Sequence, residues 1–124
     1  MMTAKILIVD DEPAIAENLQ ALLSAKGYET YCAADGSEAI VKARKEKPDI
    51  ILLDVILPKM DGFDVCRLLK ADPSTDKAKI LMTTGLDRMG DVEKAFQCGA
   101  SDYLIKPFGS VRLLQKIEKL LSQH

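Results

Sequence analysis

Residues 49–63 read DIILLDVILPKMDGF, in which the apolar run 50–53 ends on the acid Asp54 and the turn formers Pro58 and Asp61-Gly62 follow. A short apolar run without polar alternation is the pattern of a strand buried on both faces, and such strands belong to parallel sheets covered by helices on each side. Beyond the turn, Val65, Leu68 and Leu69 mark a helix, with Asp61 placed to cap it.

The same alternation of apolar run and helix-period segment recurs five times along the chain, which predicts a parallel α/β sheet. The expected strands are residues 5–9, 29–33, 50–53, 80–83 and 103–105. The second alternates more than the others and is placed at an edge. Ile15, Leu19, Leu22 and Leu23 form a helical stripe just after Pro13, which suits a first helical turn, and Gly27 follows where a left-handed cap belongs. Residues 37–45 form a second helix with only Ala39, Ile40 and Ala43 to bury, ended by Pro48. Residues 72–76, DPSTD, are a polar turn. Val92, Ala95 and Phe96 mark a fourth helix, and Leu113, Ile117, Leu120 and Leu121 a fifth.

A chain of 124 residues is long enough to bury about two thirds of its unfolded surface in one domain, expected to span 1–124 with its core at about 5–121. It is 48% hydrophobic and 29% charged, with a net charge of -2. That balance gives no electrostatic reason to expect direct contact with nucleic acid or an anionic membrane. Cys32, Cys66 and Cys98 are odd in number and lack CxxC spacing, which argues against a disulfide framework or a zinc site and for reduced thiols in the cytoplasm. There is no signal-peptide pattern and no stretch of membrane-spanning length.

Right-handed crossovers would make the sheet doubly wound, with ligands outside the carboxyl ends of its strands. Strand one, in LIVDDEP (7–13), delivers Asp10 and Asp11 there, with Glu12 next in line. Strand three delivers Asp54, strand four Thr83 and Thr84, and strand five Lys106. Two carboxylates about 4 Å apart repel by roughly 4 kcal/mol at an effective dielectric near 20, so converging acids call for a cation. Hard oxygens suit Mg²⁺, which is commonly held by one or two carboxylates plus a phosphate. A carboxylate left free can act as a nucleophile toward phosphorus, giving an aspartyl phosphate, with Lys106 and Thr84 positioned to meet the charge on the transferred oxygens. Asp54, on the most apolar strand, is the best nucleophile.

The stretches ILIVDDEP, DIILLDVILPKMDGF, ILMTTG and GASDYLIKPF, in this order and spacing, resemble the motifs of response regulator receiver domains of bacterial two-component signalling. The resemblance implies a flavodoxin-like (βα)5 doubly wound sandwich whose five-stranded parallel sheet has the order 2-1-3-4-5. It implies that Asp54 accepts a phosphoryl group from a histidine kinase or a histidine phosphotransfer protein. Mg²⁺ would be held by Asp11 and Asp54, by Asp10 through a water, and by the main-chain carbonyl of Ile56. Thr84 and Lys106 would act on the phosphoryl group, with Lys106-Pro107 a cis peptide and Tyr103 switching with Thr84. The surface of the fourth helix, fifth strand and fifth helix would then control a downstream partner or output domain, with a phosphorylation-dependent dimer left open. The protein would catalyse its own phosphorylation and dephosphorylation without turning over a separate substrate.

Gly85 stands where the family frequently has Ala, and Ile56 and Leu86, two residues past Asp54 and Thr84, are apolar where many relatives are polar. Neither apolar side chain can orient an attacking water, which predicts a long-lived phosphoryl state. Two rivals remain open. A Mg²⁺-dependent phosphohydrolase would use Asp10 as nucleophile, but Glu12-Pro13 stands where its DxD signature has the second Asp, and there is no room for a cap domain. A receiver-like module that never accepts phosphate is disfavoured because Asp10, Asp11, Asp54, Thr84 and Lys106 are all present. His124, the sole histidine, reads as a frayed end rather than a phosphodonor.

Overall fold

The structure is a computed structural model that describes residues 3–85 and 90–123; the expectations for Leu86 and His124 lie outside these residues. The described residues alternate strictly: β1 (Lys5–Val9), α1 (Pro13–Ala25), β2 (Glu29–Ala33), α2 (Gly36–Glu46), β3 (Ile50–Asp54), α3 (Gly62–Ala71), β4 (Lys79–Gly85), α4 (Asp91–Gln97), β5 (Asp102–Lys106) and α5 (Ser110–Leu121). All strand pairs are parallel and the order is β2-β1-β3-β4-β5, the flavodoxin-like arrangement the sequence implied.

Burial explains the placement. β3 is buried at every position, as its apolar run requires, whereas β2 buries only Ala33 fully and lies at the edge. Side chains of a strand alternate between faces, so each strand feeds two cores. Leu7, Val9, Ile51, Leu53, Ile80 and Met82 pack with α2, α3 and α4 on one side. Ile6, Ile8, Ile50, Leu52, Leu81 and Leu104 pack with α1 and α5 on the other.

Helix boundaries follow local chemistry. Pro13 opens α1, and Gly27 takes φ +93° just beyond its end, a conformation that costs glycine little. The thin apolar stripe of α2 is helped by its N-cap, where the Asp35 side chain accepts the Glu38 backbone N–H at 2.9 Å. Asp61 caps α3 in the same way through the Asp64 N–H at 3.0 Å. Two helix marks do not face the core: Leu68 is 49% exposed and Phe96 is 47% exposed. In α3 the buried face is carried by Phe63, Val65, Cys66 and Leu69, while α4, only two turns long, buries Ala95 alone.

Three strands run one or two residues further than the apolar pattern suggests. Asp54 pairs with Thr83, Thr84 with Ile105, and Gly85 with Lys106, so the residues with chemistry to offer are themselves rungs of the sheet.

Candidate phosphoacceptor site

Parity along the strands decides which side chains meet. Asp10 continues the face of Ile8, Asp54 that of Leu52, and Lys106 that of Leu104, so all three emerge at the carboxyl rim on the α1/α5 side of the sheet. Lys106 Nζ lies 2.9 Å from Asp54 Oδ2 and 3.9 Å from Asp10 Oδ2, bridging strands one and three from strand five. The two acids are nearly covered, with side chains 5% and 9% exposed, while Lys106 keeps 30% of its side chain in solvent.

The second oxygen of each buried acid is also engaged. Asp54 Oδ1 accepts the Ile56 backbone N–H at 3.2 Å, and Asp10 Oδ1 accepts the Glu12 N–H at 2.9 Å. Burial raises the Asp10 carboxyl above its ordinary range, because removing a carboxylate from water disfavours its charged form. The Glu12 N–H and the Lys106 ammonium pull it down, while the nearby charges of Asp54 and Glu12 push it up.

Asp11 and Glu12 are exposed beside Asp10, and one carboxylate oxygen from each of the three lies within 4.8 Å of the others. Asp54 stands outside that trio, tied to Lys106. The ligand set expected from the sequence was Asp11, Asp54, Asp10 through a water and the Ile56 carbonyl; the structure gathers Asp10 and Asp11 together with Glu12, and the Ile56 N–H donates to Asp54 Oδ1. The signal for Glu12 was its place in the acidic run after β1. Four carboxylates against one ammonium leave the rim short of positive charge. The donors are all hard oxygens, which fits Mg²⁺.

Thr84 lies on the opposite side of the sheet, continuing the face of Met82, and is 1% exposed. Its hydroxyl is the buried side-chain polar atom left without a hydrogen-bond partner among the described residues. An unpaired buried hydroxyl costs roughly 1–3 kcal/mol, so a hydrogen-bond acceptor arriving within its reach would be favoured. Tyr103 shares that side. Lys106-Pro107 is cis, as the resemblance implied.

The model of the response regulator receiver domain matches residues 6–118. The chain belongs to that family. It is the receiver domain of two-component response regulators, and its sheet order is the one this family builds. Over 119 residues it is 46% identical to the response regulator PleD of Caulobacter vibrioides, covering 96% of this chain and 26% of PleD. The structure of the chemotaxis response regulator CheY4 of Vibrio cholerae superposes with a TM-score of 0.89 at 34% identity, covering 96% of this chain and 99% of that one. The receiver domain of the sensor histidine kinase PA1611 of Pseudomonas aeruginosa PAO1 superposes with a TM-score of 0.89 at 31% identity, covering 98% and 100%. That receiver was crystallised with a magnesium ion coordinated in its active site cleft. The present receiver domain spans between about a quarter and about a half of the length of the curated relatives it matches. Among its described residues no helix is long and apolar enough to cross a membrane.

Proposed function

We propose that this receiver domain is a Mg²⁺-dependent phosphoacceptor switch in which Asp54 takes a phosphoryl group from the phosphohistidine of a histidine kinase or histidine phosphotransfer protein. The observation that carries the reading is the 2.9 Å contact between Lys106 Nζ and Asp54 Oδ2, which sets a cation at the strand end where an acyl phosphate would form. An Asp54 oxygen attacks phosphorus, the P–N bond to the donor imidazole breaks, and the imidazole nitrogen keeps the bonding pair. Lys106, already drawn between Asp54 and Asp10, pairs with the phosphoryl oxygens, and the Ile56 N–H holds the acceptor carboxylate in place. Positioning and charge compensation are most of what this chemistry requires.

Asp10, Asp11 and Glu12 would hold the Mg²⁺, with Asp54 adjoining through Lys106. The chemistry the ion supplies when bound is neutralisation of charge on phosphoryl oxygens. Thr84, whose hydroxyl has no partner in this state, turns toward the new acceptor, and Tyr103 repacks on the side it leaves. The readout is a shift between two packings, expressed on the surface of α4, β5 and α5, where Phe96 and Val111 already expose apolar area to a partner or output domain. The domain works in the cytoplasm as a signalling element, without turnover of a separate substrate.

Incubation with acetyl phosphate and Mg²⁺ tests the reading directly. The wild-type protein should gain the mass of one phosphoryl group and Asp54→Asn should gain none. Undiminished labelling of the variant would move the nucleophile elsewhere.

A further inference from the structure

Tyr103 sits on β5, one of the two edge strands of the sheet, where helices from both layers can reach one ring. From α4, Phe96 meets it edge-on, with centroids 5.8 Å apart and planes at 89°. From α5, on the other layer, Lys116 passes around the strand edge and sets its Nζ 4.8 Å from the ring centroid. That ammonium is itself fixed, because Asp102 Oδ1 accepts from Lys116 Nζ at 3.0 Å and from the Tyr103 backbone N–H at 2.8 Å. The Lys116 and Asp102 side chains are only 16% and 14% exposed, so solvent screens this pair less than a surface one.

The register Met82↔Tyr103 and Thr84↔Ile105 puts Tyr103 diagonally beside Thr84 on one side of the sheet. The ring that is clamped is therefore the neighbour of the hydroxyl that lacks a partner. We propose that Lys116, anchored by Asp102, is a positioning residue that latches Tyr103 in its resting place and so sets how much of the population is switched before phosphorylation. The inference rests on the phosphoacceptor reading given above and adds a residue that touches neither phosphoryl group nor metal. A cation over an aromatic face helps the resting packing and is lost when the ring moves, so it biases the equilibrium by its differential contact alone. Reciprocity then requires that releasing the latch tighten the site's hold on a phosphoryl group.

Beryllofluoride with Mg²⁺, a stand-in for the phosphoryl group, gives the test on the whole 124-residue chain. Two readouts are followed in wild type, Lys116→Gln and Lys116→Arg: the NMR position of the Tyr103 ring, assigned with Tyr103→Phe, and the apparent beryllofluoride affinity. Lys116→Gln should bind roughly two- to fivefold tighter, the range expected from one lost cation–ring contact. Its free-state Tyr103 signal should also move toward the bound position. Lys116→Arg keeps a cation over the ring and should behave as wild type. Asp102→Asn still accepts the Tyr103 N–H but loses the ionic anchor, and should shift both readouts in the direction of Lys116→Gln. A wild type that responds normally while Lys116→Gln is unchanged in both readouts overturns the latch alone, as does Lys116→Arg behaving like Lys116→Gln. A wild type with no beryllofluoride response overturns the phosphoacceptor reading and the latch with it.

Discussion

Gly62 is pressed against the backbone of Asp54: a Cβ added to it would stand 2.3 Å from the Asp54 carbonyl oxygen and 2.8 Å from Val55 Cα. The Gly62 N–H donates to the Val55 carbonyl at 2.7 Å, closing the loop after β3 back onto the strand that presents the acceptor. Backbone cannot retreat as a flexible side chain can, so Gly62→Ala should cost about 1–3 kcal/mol of stability by overpacking. It should also lower Asp54 labelling, because the strand end must shift. Gly90→Ala is the control, since nothing lies within 4 Å of its Cβ position and its backbone is already helical. Thermal melts of the pair should show a marked fall for the first and none for the second.

Mg²⁺ should stabilise the folded protein because the acids after β1 meet Asp54 and Lys106 at one rim only when it is folded. At ten times Kd a single site contributes about 1.4 kcal/mol, or a rise of about 5 °C in Tm. Asp11→Asn, which removes an exposed member of the acidic trio, should flatten the Mg²⁺ titration while barely moving the melt without metal. A wild-type Tm that ignores millimolar Mg²⁺ would count against the site.

Ile56 is 58% exposed directly beside Asp54, held there by its N–H to Asp54 Oδ1. An alkyl group at that position excludes an attacking water and cannot orient one. Ile56→Asn should shorten the life of the phosphorylated protein, by up to roughly a hundredfold if the new amide positions water well. Loss of phosphate timed by intact mass would decide, and an unaltered rate would remove Ile56 from the account.

Acid stability should depend on a pair far from the site. Arg44 Nε donates to Asp72 Oδ2 at 2.7 Å, and Ser74 donates to Asp72 Oδ1 through its N–H and hydroxyl, tying α2 to the turn after α3. The Arg44 hydrogen bond, helped by those from Ser74, pulls the Asp72 carboxyl down to about 2 from 3.8. A carboxyl depressed on folding contributes stability that is present above the unfolded value near 3.8 and lost as the pH falls through about 2. Denaturant midpoints should therefore fall more steeply for wild type than for Asp72→Asn between pH 4 and pH 2, with the curves converging at the acid end. Parallel curves would show that the pair does not hold in solution.

The strands were legible because β1, β3 and β4 are apolar on both faces, which neither an amphipathic helix nor a surface strand would tolerate. The rim residues were legible as strand-end chemistry, although their own membership in the ladder was hidden, since polar side chains mask backbone pairing that continues beneath them. Leu68 and Phe96 misled because the apolar stripe periodicity names is wider than the face each helix buries: α3 buries Phe63, Val65, Cys66 and Leu69, and α4 buries Ala95 alone. Glu12 joined the acids because β1 ends and the chain turns there, and a turn can gather consecutive residues that a strand would splay. The Lys116 contact with Tyr103 had no local signal at all, because it joins residues of different elements around an edge.

Thr83 and Thr84 are successive residues of β4, one facing the acids and the other facing Tyr103. In the proposed switch, the two sides of the sheet are therefore one peptide link apart at β4. If phosphorylation at Asp54 is what the domain answers to, so short an arm needs no chain of intermediates, and the far face is free to vary while the acid-bearing face stays fixed.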